Sequence, residues 1–432
     1  MTHVNWPFTP GRNIEIDKAE GVYLYTSSGQ AIIDAAGGAI VANVGHGRQR
    51  VADAVATATL ETSYVVPPWL TSSRRAVVEA LERHWLPHDL TRIHMTSGGS
   101  ESVEAAMKMA LQYHAAQGDE RRTKILSRSI SYHGTTLSTT AVSGHPARKK
   151  GLAHGLATYP TTPTPYPLRC PLGPHHPDAG DYYVQAMVDV IEREGPETIA
   201  AFLAEPITGS SGGAIVPPDD YWPKVRSVCN EYGMLLIFDE VMTGFGRTGT
   251  PFGHQHWDVT ADILVSGKGL AGGYAPLGGV FATEAVGAAL DAAGMSVMFH
   301  TFGGHPAACA ASVEVLNIMI EERLLERVTR MGELLRARLI DAFSNHPHVA
   351  EVRGRGLLQA IEIVEDRDQL APFSADANIT NRIVGKALKM ACSSMAGGPD
   401  RYGISFVWAR LLSLKKNTST RWLVCWRTRS MR

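Results

Sequence analysis

Two residues that can share one chemistry follow apolar runs in the middle of the chain. Asp239 follows MLLIF (234–238), and Lys268 stands in Ser-Gly-Lys-Gly after DILV (262–265). A carboxylate at a partly buried strand end needs a cationic partner, and flanking glycines let a ligand approach the backbone closely. Together they suit pyridoxal phosphate catalysis, in which a lysine amine bonds to the cofactor aldehyde and a carboxylate keeps the pyridine nitrogen protonated. Each residue alone is typical of a turn or loop, so only the two residues together indicate this chemistry.

A cofactor phosphate would need a helix N-terminus with exposed N–H groups. The segment SGGSE (97–101) leads into residues 101–114, whose apolar positions repeat with helical spacing. Its glycines admit an oxyanion, Ser100 offers a hydroxyl, and the helix dipole favours the negative charge. Tyr132 in SYHG (131–134) could stack on a flat cofactor ring, although a packed loop tyrosine would have the same surroundings.

These residues need elements that bring them together, and the chain offers a repeated pattern. Short apolar runs alternate with helical or loop segments, at 92–99, 124–129, 200–206, 234–240 and 262–269. This pattern predicts an α/β fold with a mostly parallel sheet covered on both faces. Because ligands gather at the carboxyl ends of such strands, four residues are expected to converge there: Ser97, Glu205, Asp239 and Lys268.

The remaining segments predict a second domain. Residues 158–180 contain seven prolines and are expected to form a long loop. After residue 305 the chain has one long amphipathic stretch, followed by a strand-like segment at 349–364. We therefore place the end of the sheet domain near residue 305, with the N- and C-terminal segments forming the second domain.

Composition excludes several classes of function. With 41 basic and 42 acidic residues, the formal charge is −1, which argues against a general nucleic-acid or membrane-surface binder. No signal pattern or long apolar run is present, so we expect a soluble, cytoplasmic protein. The histidines, such as His254 and His256, lack the context of a metal site, and no metal is predicted.

Six segments, in this order, resemble the motifs of the class III (ω-amino acid and amine) aminotransferases, a fold-type I pyridoxal phosphate family. They are SGGSESVEAAMK, SYHG, LAEPITGSSGGAIVPP, LLIFDEVMTGFGRTG, DILVSGKGLAGGYAPLGG and HTFGGHPAACAA. The resemblance runs from about residue 6 to about residue 403. It implies a seven-stranded, mostly parallel sheet in a large cofactor domain (66–305), and a smaller α+β domain built from residues 1–65 and 306–432.

The resemblance also implies roles for individual residues. Lys268 matches the Schiff-base lysine, and Asp239 the partner of the pyridine nitrogen. The other matching cofactor residues are Gly99 and Ser100 in the phosphate cup, Tyr132 and Val241 on opposite faces of the ring, Glu205 beside the cofactor, and Thr301, which reaches the phosphate of the other subunit. A homodimer with shared active sites is thereby implied, and pairing of dimers into tetramers stays open.

The reaction that the resemblance implies is transfer of an amino group from an ω-amino acid or primary amine to a keto acid such as pyruvate. Lys268, released from the cofactor by the donor amine, would then move the proton between substrate and cofactor. For the substrate we name Tyr64 and Trp69, which lie in the stretch that lines the family's entrance, and Arg401 as a candidate carboxylate ligand.

Two alternatives remain. A decarboxylase, racemase or aminomutase would use the same lysine and aspartate. Gly244, Gly246 and Gly249 form a GxGxxG pattern after a strand, as in dehydrogenases that bind nicotinamide cofactors. The segment that follows does not read as the required amphipathic helix, and an acidic residue ends the strand before the glycines.

Residues 404–432 differ from the rest of the chain, with seven basic residues and no acidic residue. The family ends instead with a proline-containing strand and an acidic amphipathic helix. One interpretation is a basic surface tail. Our hypothesis is a frameshift near Gly403, because a neighbouring reading frame can encode the family's ending. Without the tail, residues 1–403 hold 34 basic and 42 acidic residues, a formal charge of −8.

Overall fold

The computed structural model describes residues 14–393, 395–397 and 403–407, and its strands form three sheets. The first sheet is antiparallel and contains β1 (Ile16–Glu20), β2 (Tyr23–Thr26) and β3 (Ala31–Ile33). Ile33 also pairs with Cys392, so this sheet is joined to a segment much later in the chain.

The central sheet has seven strands in the order β4-β10-β9-β8-β7-β5-β6. They are β4 (Arg92–Thr96), β5 (Lys124–Arg128), β6 (Thr161–Thr162), β7 (Ile199–Ala204), β8 (Leu235–Asp239), β9 (Ile263–Ser266) and β10 (Gly278–Ala282). Strand β10 is antiparallel to β4 and β9, and the other pairings are parallel. The predicted α/β class with a mostly parallel sheet is confirmed.

Helices surround these sheets. They are α1 (Gly37–Ile40), α2 (Gln49–Glu61), α3 (Ser72–His84), α4 (Gly99–Ala116), α5 (Leu137–Val142), α6 (Ala179–Glu194), α7 (Tyr221–Glu231), α8 (Glu284–Ala292), α9 (Pro306–Glu321), α10 (Leu324–Phe343) and α11 (Ile379–Lys389). In the described part of the chain, no helix has the length and apolar character needed to cross a membrane.

The central strands are continuously apolar because both faces of the sheet are covered. Every residue of β7 is buried. Ala201 and Leu203 pack in a cluster with α4 and α8, whereas Phe202 and Ala204 pack in another with α6 and α7. Successive side chains of a strand point to opposite faces, so two covered faces require apolar residues at every position.

The third sheet contains β11 (Val349–Arg355), β12 (Leu358–Ile363), β13 (Met395–Gly397) and β14 (Gly403–Val407), in the order β11-β12-β14-β13. Helices α10 and α11 pack against it. Strand β14 includes residues 404–407 of the basic tail, and residues 408–432 lie outside the described residues. The domain boundaries given above stay a prediction.

The structure divides three segments that the sequence left whole. Residues 349–364 form a hairpin, because Gly356 turns the chain at φ +54°, where an added Cβ would lie 2.5 Å from the carbonyl carbon of Thr248. The amphipathic stretch after residue 305 is two helices, separated by Arg323 at φ 51°. The proline-rich loop contains the short edge strand β6, and α6 already begins at Ala179.

Candidate active site

A cavity of about 150 Å³ lies where the ends of β7, β8 and β9 meet the N-terminus of α4. Seven of the eight cofactor residues named from the sequence line it: Gly99, Ser100, Tyr132, Glu205, Asp239, Val241 and Lys268. Three further residues complete the wall: His133, Gly134 and Met242. The strand ends therefore bring these residues together at one concavity, although they span about 170 positions of the chain.

Lys268 follows β9 and holds an unusual backbone conformation, with φ at 39°. A non-glycine residue in this region is strained, and such strain is often found at functional sites. Burial lowers the pKa of Lys268 to about 8, although Asp239 and Glu205 act in the opposite direction. Its amine is therefore neutral in a larger fraction of molecules near pH 8 than an exposed lysine would be.

The carboxylate of Asp239 is held on both oxygens. Its Oδ2 lies 2.8 Å from Nδ1 of His133, and its Oδ1 accepts a hydrogen bond from the Val241 N–H at 3.1 Å. The backbone N–H of His133 donates a hydrogen bond to Oγ of Ser143 at 2.8 Å. No role for His133 was predicted from the sequence. Its position beside Tyr132 in SYHG is the signal that could have found it.

Glu205 closes another side of the cavity. It is buried, and its carboxylate accepts hydrogen bonds from the N–H groups of Tyr132 at 3.2 Å and Gly209 at 2.8 Å. Burial raises the pKa of Glu205, and the nearby Asp239 acts in the same direction. The buried guanidinium of Arg128 donates to the Glu205 carbonyl oxygen. These contacts fix the backbone that presents Tyr132 to the cavity.

At the N-terminus of α4, the backbone of two glycines lies close to neighbouring side chains. A Cβ on Gly99 would lie 2.9 Å from Cγ1 of Val241, and a Cβ on Gly134 would lie 2.7 Å from Oγ of Ser100. The Ser100 hydroxyl accepts a hydrogen bond from the Thr135 N–H at 3.1 Å. The glycines thus leave a cradle of N–H and hydroxyl groups at a helix N-terminus, which suits a phosphate.

The donor set fits a phosphorylated pyridine aldehyde. The α4 cradle suits its phosphate, the fixed carboxylate of Asp239 suits a protonated ring nitrogen, and the amine of Lys268 suits the aldehyde. Among the described residues, no group of three or more His, Cys, Asp or Glu side chains is arranged to hold a metal ion.

Other residues named from the sequence lie away from this cavity. Thr301 is exposed and is not part of the cavity wall. Tyr64 and Trp69 are 42% and 68% exposed, and the Tyr64 ring lies 6.1 Å from that of Phe302.

Ser97, which was expected at the strand ends, is also absent from the cavity wall. Its backbone N–H donates a hydrogen bond to the carboxylate of Glu101 at 2.8 Å. Arg401 lies outside the described residues.

The GxGxxG glycines serve packing. Added Cβ atoms on Gly246 and Gly249 would lie 2.9 Å from Met319 of α9 and 2.4 Å from Thr329 of α10. The chain continues into a 3-10 turn, Gly253–Trp257, and not into the long helix that a dinucleotide site requires. This geometry removes the basis of the dehydrogenase alternative.

Comparison with known proteins identifies the family of this chain. Residues 9–391 match the family model described as aminotransferase class-III. A taurine–pyruvate aminotransferase of Rhodobacter capsulatus is 36% identical over 365 residues, covering 83% of this chain and 78% of the relative. A putrescine–pyruvate aminotransferase of Pseudomonas aeruginosa is 32% identical over 386 residues, covering 85% of this chain and 82% of the relative.

A solved structure of a transaminase has the same fold as this chain. An amine transaminase from an uncultivated Pseudomonas species, in its pyridoxal phosphate-bound form, superposes with a TM-score of 0.90 at 32% identity. The match covers 98% of this chain and 97% of the other. The fold and the match over nearly the whole chain define an aminotransferase of fold type I. The chain belongs to the class III aminotransferases.

Proposed function

We propose that this aminotransferase uses pyridoxal phosphate, attached at Nζ of Lys268, to move the amino group of an ω-amino acid or primary amine to a keto acid such as pyruvate. The observation that carries the proposal is the convergence of Lys268, Asp239 and the α4 cradle on one cavity. When bound, the cofactor supplies an aldehyde that bonds to amines and a ring that accepts electrons.

The residues of the chain would divide the remaining work. The Gly99 and Ser100 cradle holds the phosphate, and Asp239, fixed by His133, keeps a proton on the ring nitrogen. Tyr132 and Val241 pack on the ring. The amine of Lys268, once free, would accept at Nζ the proton of the substrate carbon and later give it back; its lowered pKa favours the neutral, proton-accepting form.

Relatives support the substrate class. Two of them are named for amine donors, taurine and putrescine, and both for pyruvate as acceptor. A decarboxylase, racemase or aminomutase would use the same Lys268 and Asp239, but the relatives carry the names of aminotransferases. We therefore place transamination first.

We also propose a homodimer with shared sites. Exposed apolar side chains lie in the segments on either side of Thr301, with Met298 76% and Phe302 59% exposed. Arg74 donates to the carbonyl oxygens of Val65 (2.8 Å) and Gly304 (2.7 Å), which joins this segment to that of Trp69. An apolar patch of this kind favours burial against a second subunit, from which Thr301 would reach the other cofactor.

The test is a donor panel with pyruvate as the common acceptor. Taurine, putrescine, β-alanine and propylamine are incubated with the cofactor-loaded protein, and loss of pyruvate and formation of alanine are followed. We expect at least one donor to give one alanine per pyruvate consumed, and the Lys268→Ala variant to give none. Release of carbon dioxide, or racemisation of the donor without pyruvate loss, would favour the other chemistries.

A further inference from the structure

One exposed arginine lies beside the cavity and has no part in the chemistry described above. Arg148 belongs to a 3-10 turn, Pro146–Lys149, and its Cζ lies 3.9 Å from the centroid of the Tyr132 ring. Tyr132 lines the cavity together with Lys268, whereas Arg148 is exposed. The guanidinium is therefore exposed and lies in contact with a residue of the cavity wall.

The charge of Arg148 acts on the reacting amine. After burial, which is the largest cause, the positive charges of Arg148 and Arg247 lower the pKa of Lys268 further. Arg247 is buried, so a dissolved substrate cannot reach it as it can reach Arg148. Arg148 is thus a cation that is both near Lys268 and accessible.

In the described part of the chain, the charge of Arg148 also has no acidic partner. Some exposed arginines pair with glutamates, as Arg50 does with Glu314 at 2.8 Å and Arg323 with Glu326 at 2.8 Å. Within the described residues, no carboxylate forms an ion pair with Arg148. Contact with a ring uses the face of the guanidinium, and leaves the N–H groups along its edge free to donate.

We propose that Arg148 binds the anionic head group, a carboxylate or a sulfonate, of the donor or acceptor whose amine or keto carbon lies at Lys268. The proposal rests on the proposed function. A planar guanidinium offers two parallel N–H donors that match the two oxygens of such an anion. Stacking on the Tyr132 ring holds the guanidinium in place before the substrate arrives, which lowers the conformational entropy lost on binding.

Arg148→Gln tests the proposal through pairs of donors that differ only in the head group. β-Alanine and propylamine have the same length, but propylamine has a methyl group in place of the carboxylate; taurine carries a sulfonate. The single-turnover reaction of each amine with the loaded enzyme is followed by absorbance, without acceptor. We expect the apparent second-order rate constant to fall roughly 10- to 100-fold for the anionic donors and less than about 3-fold for propylamine.

A second readout needs no turnover. Propionate has the carboxylate but no amine, and calorimetric titration gives its affinity for the resting enzyme. We expect Arg148→Gln to weaken propionate binding about 10-fold, Arg148→Lys to recover part of it, and the control Lys150→Gln to change little. Lys150 is an exposed cation two residues away, so it reports any general effect of surface charge.

If Arg148→Gln lowers the rate constants for β-alanine and propylamine equally, the proposal is overturned, because Arg148 would then act only by supporting Tyr132. Unchanged propionate affinity and unchanged rates with anionic donors would also overturn it. A loss restricted to taurine or to β-alanine supports it and identifies the head group. A wild-type enzyme that reacts with no amine, yet binds propionate through Arg148, would instead contradict the proposed function.

Discussion

Gly99 offers a sharp test of the cofactor cradle, because its neighbour Gly98 is a matched control. A Cβ on Gly99 would lie 2.9 and 3.0 Å from the two γ carbons of Val241, closer than such atoms normally come. A Cβ on Gly98 would have no atom within 4 Å, and the extended backbone there, at φ 177°, accepts any residue. Both residues stand at the start of α4.

The expected magnitude follows from overpacking. Inserting a methyl group into a filled site costs about 1–3 kcal/mol. Because Val241 is expected to pack on the cofactor ring, a methyl group that displaces Val241 should transfer this cost to the bound state. Gly99→Ala should then weaken pyridoxal phosphate binding by about 5- to 150-fold, since 1.4 kcal/mol is a factor of ten. Gly98→Ala should change the affinity by less than about 3-fold, because its methyl group meets no neighbour.

The assay is titration of the cofactor-free protein with pyridoxal phosphate, followed by absorbance, with the melting temperature as a check on folding. Val241→Ala removes both γ carbons, so the Gly99→Ala/Val241→Ala double variant should bind better than the product of the single effects predicts. Equal losses of cofactor affinity in Gly98→Ala and Gly99→Ala would contradict this explanation. So would strictly additive effects of Gly99→Ala and Val241→Ala, because the close contact between the two residues would then not cause the loss.

Three further predictions concern the proton, the subunits and the tail. The pKa of Lys268 is lowered to about 8, so attachment of pyridoxal phosphate to the cofactor-free protein should accelerate as the pH rises through 8; a rise only near the ordinary lysine pKa would contradict the burial argument. If Thr301 serves the other subunit, inactive Lys268→Ala chains mixed with impaired Thr301→Ala chains should form heterodimers with one intact site; activity no higher than the average of the two parents would contradict it. If residues 404–432 are out of frame, resequencing the gene should reveal a single insertion or deletion near codon 403. The corrected protein should then melt several degrees higher, because the apolar face of the restored helix would cover the small domain. An intact reading frame would contradict this hypothesis.

The five strands predicted from apolar runs were found because strands covered on both faces must be continuously apolar. Strand β10 escaped prediction, since nothing in the local sequence GGVFA separates a central strand from a glycine-rich loop. The break between α9 and α10 also escaped, because Arg323 takes a positive φ without a glycine or proline to mark it.

The candidate site was predictable to the extent that it lies at strand ends. Asp239 and Lys268 stand directly after apolar runs, and topology alone brings such positions together. His133 was missed because its contact with Asp239 joins residues 106 positions apart. Arg148 was missed for a similar reason: no spacing rule links a cation in a 3-10 turn to the ring of Tyr132.

The most direct test of the central claim is the site of covalent cofactor attachment. The protein is loaded with pyridoxal phosphate, reduced with borohydride, digested and mapped by mass spectrometry. We predict one reduced pyridoxyl phosphate group per chain, located on Lys268, and no absorbance band of a lysine-bound imine in Lys268→Ala. Attachment to a different lysine, or a wild-type protein that retains no cofactor, would contradict the account.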